Sequence, residues 1–578
     1  MRKLGLILLA LLVTCSFAFA GGASETQAVA VTAAPVTTQT TATDTSASTT
    51  TDVPEESHIG IVTGTVSQSE DDPLMKAVTF TIANGAEPES LDPSQIQGVP
   101  EHRIFEALFE GLVAVDPQTA DGVPGVAESW DVSDDGLTYT FHLREDAVWS
   151  DGVPITADDV VYSWLRELAP ETASPYAWFP AMFIAGATEY NAGEVGPEAV
   201  QIRAVDDHTF EMTLIGPLPY VIGALCHYSF GIVPQHAIEK YGQAWTQPEN
   251  FVGNGPFVLT EHVPQDRIVC EKNPLYWDAE NVALDEVVFL ASDDTATNYN
   301  MYVSGEVDWN TSIDLNNFDQ ISMRTDYQVA PQLSTYYYTI NVTEPPFDDP
   351  LVRKAVSYAI DREELVYSVT RAGQIPCWGI VPEMAGYEPL EESDIGGSLY
   401  DPDYARELLA QAGYPNGIGF PTVSILYNTD DAHRQIAEFI QQQLKDNLNI
   451  NVELENQEWA TYLANRNAGN FQIARAGWVG DYQDPNTFLD MFITGAGMNG
   501  GKYSNPEYDA LINQAARMPA GEERMATLKA AEDILINQDQ AIIPLYFYVS
   551  QNMIDTNKWG GWYPNTMDYH PVKNIYLK

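Results

Sequence analysis

The sequence predicts an α/β protein of more than one domain, and three observations predict it. The C-terminal half alternates apolar strands with amphipathic helices at βαβ spacing. The chain has 578 residues, which at ~150 residues per domain suggests two to four domains. Hydrophobic residues make up 45% of it and aromatics 11%, enough to bury large cores and to exclude disorder of the whole chain.

The elements follow in order. Arg2 and Lys3 precede an apolar run from Leu4 to Val13, and Ala18-Phe19-Ala20 supplies a small-x-small cleavage site. This pattern reads as a secretory signal over residues 1–20. Its apolar part is shorter than the ~20 residues a membrane span needs, and no later segment reaches that length, so a soluble, exported protein is expected. Leu12-Val13-Thr14-Cys15 resembles a lipoprotein box that would anchor the chain through Cys15, but Thr14 is a poor residue there and cleavage after Ala20 is favoured. From Ala23 to about Asp72 the chain is Thr, Ala, Ser and Val with no aromatic residue. Such a segment buries too little to offset its ordering entropy, so residues 21–76 read as a disordered tether. Loss of Cys15 leaves Cys226, Cys270 and Cys377, an odd set that allows at most one disulfide and one free thiol.

Beyond Val78, Thr138–Leu143 alternates as a strand, and Asp134-Asp135-Gly136 makes the turn of a hairpin with the strand before it. Asp131-x-Ser133-x-Asp135-Gly136 hints at a calcium loop, but the twelfth position is His142 rather than Glu. Asp401-Pro402 starts a helix through Leu409 that Gly413 ends. Thr422–Tyr427 reads as a strand, and Ala432–Leu444 as a helix with Ile436, Phe439, Ile440 and Leu444 on one face. Ile450–Leu454 is a second strand, parallel to the first. Phe471–Ala474 is a third, and helices cover Glu507–Arg517 and Glu522–Asn537. In open α/β sheets ligands bind beyond the carboxyl ends of strands, which places a site just after Leu426, Leu454 and Ala474.

Charge and missing motifs narrow the function. The chain carries 27 basic against 82 acidic side chains, a formal charge of −55, and so repels nucleic-acid backbones and anionic lipid. It lacks H-E-x-x-H, G-x-S-x-G, G-x-x-x-x-G-K-[ST] and a G-x-G-x-x-G after a strand. Its nine His do not cluster at metal-ligand spacing. Weight moves from catalysis toward binding, with no metal or cofactor.

Several segments carry a specific resemblance: Gly125-Val126-Ala127-Glu128-Ser129-Trp130, Trp149-Ser150-Asp151-Gly152-Val153-Pro154-Ile155-Thr156-Ala157-Asp158-Asp159-Val160, Ser90-Leu91-Asp92-Pro93, Asn254-Gly255-Pro256-Phe257, Asn273-Pro274-x-Tyr276-Trp277 and Arg353-Lys354-Ala355. From about Phe80 to the C-terminus the chain is similar to the family 5 extracellular solute-binding proteins of ABC importers. Thr335-Tyr336-Tyr337-Tyr338, Asn456-Gln457-Glu458-Trp459 and Arg475-Ala476-Gly477-Trp478-x-x-Asp481-Tyr482 resemble the oligopeptide-binding branch.

The resemblance implies an exported, monomeric, non-enzymatic receptor with two hinged lobes and three domains, built of mixed sheets flanked by helices. It would close on an extended peptide and pass it to membrane permease subunits. Lobe I would comprise residues 77–110, 234–333 and 548–578. An inserted second domain would span 111–233, and lobe II 334–547. Asp481 would hold the peptide's ammonium, which is costly to bury without a carboxylate. Gly477 and Val479 from one lobe and Val99 from the other would meet the ligand backbone as an added strand. Trp459, Tyr176, Asn428 and Tyr548 would line side-chain pockets, and His433, Arg466 and Arg475 are the cations for the carboxylate end. Two departures from the family bear on ligand charge or length: Gln97 where an acid is frequent, and Thr370, followed by Arg371, where Lys is frequent. Competing readings are a receptor for a murein peptide, dipeptide, nickel or haem, a secreted peptide hydrolase, and a surface adhesin carried on the tether.

Overall fold

The computed structural model describes residues 77–384, 386–391 and 400–578. The expected signal and tether lie outside them.

One mixed sheet of eleven strands runs through the structure. Its order is Val452–Gln457, Val423–Asn428, Ile473–Val479, Tyr327–Ile340, Ile542–Ile554, Trp309–Asn310, Thr79–Ala83, Glu286–Leu290, Arg267–Lys272 and Phe257–Val263, with Ile375–Pro376 pairing beside Ile542–Ile554. The two central strands are the longest, at 14 and 13 residues. They pair antiparallel, but the register breaks between Pro331 and Thr335. Pro331 has no N–H to give the ladder, so the break falls where pairing is weakest. On one side of it Tyr327–Pro331 faces Val549–Met553, and on the other Thr335–Thr339 faces Ile542–Phe547. This single ribbon joins the two halves of the sheet, and the chain passes between them twice at the same place.

The βαβ unit forms close to where the sequence places it. Val423–Asn428 and Val452–Gln457 are parallel, in register from Val423↔Val452 to Asn428↔Gln457. The helix between them runs longer than its apolar stripe suggested, from Asp431 to Leu448. The Asp430 carboxylate caps its start by accepting from the His433 N–H at 2.9 Å, and Asn449, at φ 56°, ends it. Ile436, Ile440 and Leu444 are buried as predicted, while Phe439 is half-buried. The third strand differs more. It runs from Ile473 to Val479, so Arg475, Gly477 and Val479 lie inside it rather than beyond its end. Arg and Gly interrupt the apolar run, but alternate residues of this strand face a cavity and need not be apolar.

A separate four-stranded antiparallel sheet contains Ala127–Val132, Thr138–Leu143, Thr209–Thr213 and Ile202–Asp206. Thr138–Leu143 buries Tyr139, Phe141 and Leu143 and turns the alternate residues out. Its hairpin turn places Gly136 at φ 71°, the left-handed region. The acids of the calcium-like segment serve the hairpin itself. Asp131 bonds His142 at 2.9 Å, and Asp135 accepts from Ser133 Oγ at 2.6 Å and Leu137 N at 3.1 Å.

The family-like motifs chiefly hold the core together. Asp92 pairs with Arg166 at 2.5 Å. Buried Glu110 accepts from Tyr276 Oη at 2.5 Å, Trp277 Nε1 at 2.7 Å and Lys573 Nζ at 2.9 Å. A side chain at Gly255 would meet the Leu108 carbonyl carbon at 2.4 Å, so only glycine fits there. Cys226, Cys270 and Cys377 are buried and unbridged. Among the described residues no helix is long and apolar enough to cross a membrane.

Candidate functional site

A cavity of about 390 Å³ lies in the cleft, and the strand Ile473–Val479 forms its spine. This strand pairs along its whole length with Ser334–Ile340. On its other side only Ile473 and Ala474 are paired, with Ile425 and Leu426. From Arg475 onward the second edge is open. The Gly480 N–H bonds back to Leu333 O at 2.9 Å, so by the two-residue period of a strand Arg475, Gly477 and Val479 turn their N–H and C=O groups to the open edge. The Tyr462 hydroxyl donates to the Arg475 carbonyl. Gly477 and Val479 have no strand partner on that edge among the described residues.

Asp481 follows this strand directly. It is 7% exposed. Its Oδ1 lies 3.5 Å from His227 Nε2, and its Oδ2 is buried with no partner among the described residues. Burial, and secondly the nearby Asp490 carboxylate, push its carboxyl well above the usual range. His227 offers no charge to offset this, because burial and then His102 hold it well below the usual imidazole range. Tyr176, Tyr228 and Tyr569 line the same end of the cavity, and the Tyr176 ring lies 4.7 Å from His227. A buried acid without a cation, walled by electron-rich rings, has the chemistry to accept an ammonium group.

Two arginines also line the cavity. Arg475 Nη1 donates to Asn428 Oδ1 at 3.3 Å and Nη2 to Tyr548 Oη at 3.0 Å, and its guanidinium lies 5.1 Å from the Tyr336 ring centre. Burial alone would depress it, but the hydroxyls of Tyr548, Tyr336 and Tyr462 outweigh that and keep it charged. Arg466 donates to Asn467 Oδ1 at 3.2 Å. Neither arginine has a carboxylate within 4.0 Å among the described residues.

All eleven sequence-derived candidates line this cavity, though two differ in kind from expectation. Val99 is not a strand residue: it opens the helix Val99–Leu108, whose first N–H groups have no intrahelical acceptor. His433 is no cation. Burial and the adjacent Arg475 charge hold it well below the usual imidazole range, so it offers a neutral ring to the wall. The departures also resolve. Gln97 donates to Glu89 at 2.9 Å and accepts from Asn467 at 2.8 Å across the cleft. Thr370 lines a smaller neighbouring cavity of about 210 Å³. Arg371 does not replace a lysine there, because it turns away to Asp319 at 3.2 Å.

The wall residues His102, Arg103, Ser334, Tyr228 and Tyr569 escaped sequence reasoning. No motif marks them; the helix Val99–Leu108 brings His102 and Arg103 to the cleft, the ribbon break Ser334, the turn Tyr228–Phe230 its Tyr228, and the C-terminal segment Tyr569. Across the cleft, Trp459 Nε1 donates to Glu101 Oε1 at 3.3 Å. Tyr482 stacks on Tyr220 at 4.5 Å, and Gln483 donates to Thr119 O at 3.0 Å. The two sides are shut on each other.

A cleft that closes over a chamber lined by a buried acid, by two arginines without a carboxylate partner among the described residues and by an open strand edge defines a two-lobed binding protein. The chain belongs to the bacterial extracellular solute-binding proteins, family 5, whose profile ("family 5 Middle") matches residues 121–500. It is 39% identical over 531 residues to the periplasmic oligopeptide-binding protein OppA of Escherichia coli, covering 89% of this chain and 96% of that one. The fold is the three-domain periplasmic-binding-protein fold. The crystal structure of Haemophilus influenzae OppA in complex with RPPGFSPFR superimposes with a TM-score of 0.83 at 34% identity, over 87% of this chain and 99% of that one. The unliganded open form of the murein tripeptide-binding protein MppA, at 35% identity over 87% and 98%, scores 0.60. Identity is nearly equal in the two, so lobe arrangement separates the scores, and this chain has the closed arrangement.

Proposed function

We propose that this chain is a periplasmic oligopeptide receptor of an ABC importer, which traps an extended peptide between its lobes and presents it to permease subunits. The observation that carries the reading is the buried Asp481 carboxylate, its Oδ2 without a partner among the described residues, at the end of an open strand edge. A peptide supplies what each part lacks: an ammonium for Asp481, backbone groups for Gly477 and Val479, and a carboxylate for Arg475 or Arg466. Backbone pairing reads no sequence, so many peptides fit. Trp459, Tyr176, Asn428, Tyr548 and His433 line side-chain space, and Val99 offers a helix-start N–H from the facing lobe. The names of the relatives support this class of ligand and the periplasmic location.

The ribbon break supports a hinge between lobe I (77–110, 234–333, 548–578) and lobe II (334–547), with 111–233 as the inserted domain. Ligand contacts made only in the closed state would favour closure. The protein acts as an exported monomer, binds no nucleic acid and breaks no bond. Incubation of the purified protein with a labelled peptide tests this. Stoichiometric retention of intact peptide is expected; turnover would mark a hydrolase, and no retention would mark another solute.

A further inference from the structure

Arg103 is the one cavity-lining cation on the lobe I side that the peptide reading leaves without a task. It lies on the helix Val99–Leu108, across the cleft from Arg475 and Arg466. Its guanidinium makes no hydrogen bond and no ion pair within 4.0 Å among the described residues, and its Nε is fully buried without a partner. The Trp309 ring, 5.4 Å from its Cζ, holds it from beneath.

The acids around it stop short of its guanidinium. Asp568 Oδ1 accepts from Asn552 Nδ2 and His570 Nε2, both at 2.9 Å. Glu106 lies 3.7 Å from His102. Glu101 Oε1 accepts from the Glu89 N–H at 2.9 Å and from Trp459, while its Oε2 is buried without a partner among the described residues. These charges act on Arg103 from a distance without filling its donors. Five N–H donors in a fixed fork, desolvated as the lobes shut, call for a planar acceptor with two oxygens.

We propose that Arg103 holds a carboxylate of the bound peptide, making it a specificity-determining residue for acidic ligands. This rests on the reading of the cavity as a peptide site. The carboxylate belongs to an Asp or Glu side chain or to the end of a short peptide, and the two are separable.

The test is calorimetric titration of the full chain with alanine tri- to pentapeptides carrying Glu or the isosteric Gln at each position in turn, and with the C-terminal acid or amide. Glu at one position should bind about tenfold or more tighter than Gln, as a charge-assisted fork predicts. Arg103→Gln should bring that ratio to near one while leaving neutral peptides within about twofold. Arg103→Lys, a point charge without the fork, should keep part of it. If the acid-over-amide preference falls in Arg103→Gln instead, the terminal carboxylate is the partner. Glu-to-Gln ratios near one throughout in the unaltered protein, with an acid-over-amide ratio that Arg103→Gln and Arg103→Lys leave unchanged, would overturn the proposal. Binding of no peptide at all would overturn the peptide reading and this proposal with it.

Discussion

Replacing Asp481 by Asn changes one carboxylate oxygen for an amide at constant volume. Against an ammonium ligand it removes one half of a buried ion pair and leaves the other half buried. Breaking such a pair costs about 3–5 kcal/mol, which is roughly two to three and a half orders of magnitude in Kd. The site favours the upper part of that range, because Asp481 Oδ2 has no competing donor and His227 is held neutral. An N-acetylated peptide presents no charge, so it should bind the native protein weakly and lose little more on Asp481→Asn. Isothermal titration with a free-amine peptide and its N-acetyl twin against both proteins closes a double-mutant cycle. The coupling term should be most of the loss. Equal losses for both peptides would remove Asp481 from the amine site. Stability supplies a second readout. A carboxyl raised in the folded state loses stability as pH climbs from its unfolded value through its folded one. Empty Asp481→Asn should therefore melt at least as high as the native protein near pH 7, and its advantage should vanish near pH 4.

Other expectations follow from the same geometry. Because an ammonium forces Asp481 to ionise, peptide binding should release a proton, and affinity should rise with pH until the raised folded-state pKa is passed; titrations in buffers of differing ionisation enthalpy read this directly, and Asp481→Asn should abolish it. Arg475→Met should weaken C-terminal acids by about 1.5–3 kcal/mol and C-terminal amides far less. At Gly477 a Cβ would fall 2.9 Å from Tyr548 Oη and 3.1 Å from Arg475 Nη2 on the cavity side, so Gly477→Val should cut peptide affinity more than tenfold (~1.4 kcal/mol) with a small change in Tm. Glu101 is pushed up to about 7, chiefly by burial, so its folded pKa exceeds the unfolded one and stability falls as pH passes from about 4 through 7. Glu101→Gln should match the native Tm only below about pH 4 and exceed it at pH 8.

Much of the site could be read from sequence because its chemistry depends on residue types in a strict order. Arg475, Gly477, Val479 and Asp481 recur at odd positions, the period that puts strand residues on one side. Asn428 and Trp459 fall at the carboxyl ends of parallel strands. What failed has physical reasons. The apolar pattern ends at Ala474 because Arg475 and Gly477 break it, although a strand lining a cavity carries polar residues on that side and this one runs on to Val479. The resemblance implies a cation at His433, but burial beside Arg475 disfavours its charge, and burial is a tertiary property. Arg103 and Tyr569 come to the cleft through the helix after Gly98 and the C-terminal segment, which no local period reveals. The most specific motifs, such as those holding Asp92, Asn254 and Tyr276, identified the family yet pack the core rather than touch the cavity.

The central claim is that a peptide lies along the strand Ile473–Val479 with its α-amine on Asp481. A crystal structure of the full chain with a free-amine tetrapeptide reads this without intermediaries. The amine nitrogen is expected within about 3.2 Å of an Asp481 carboxylate oxygen, with ligand backbone bonded to Gly477 and Val479. A bound peptide whose amine faces solvent, with Asp481 still unpartnered, would contradict the account.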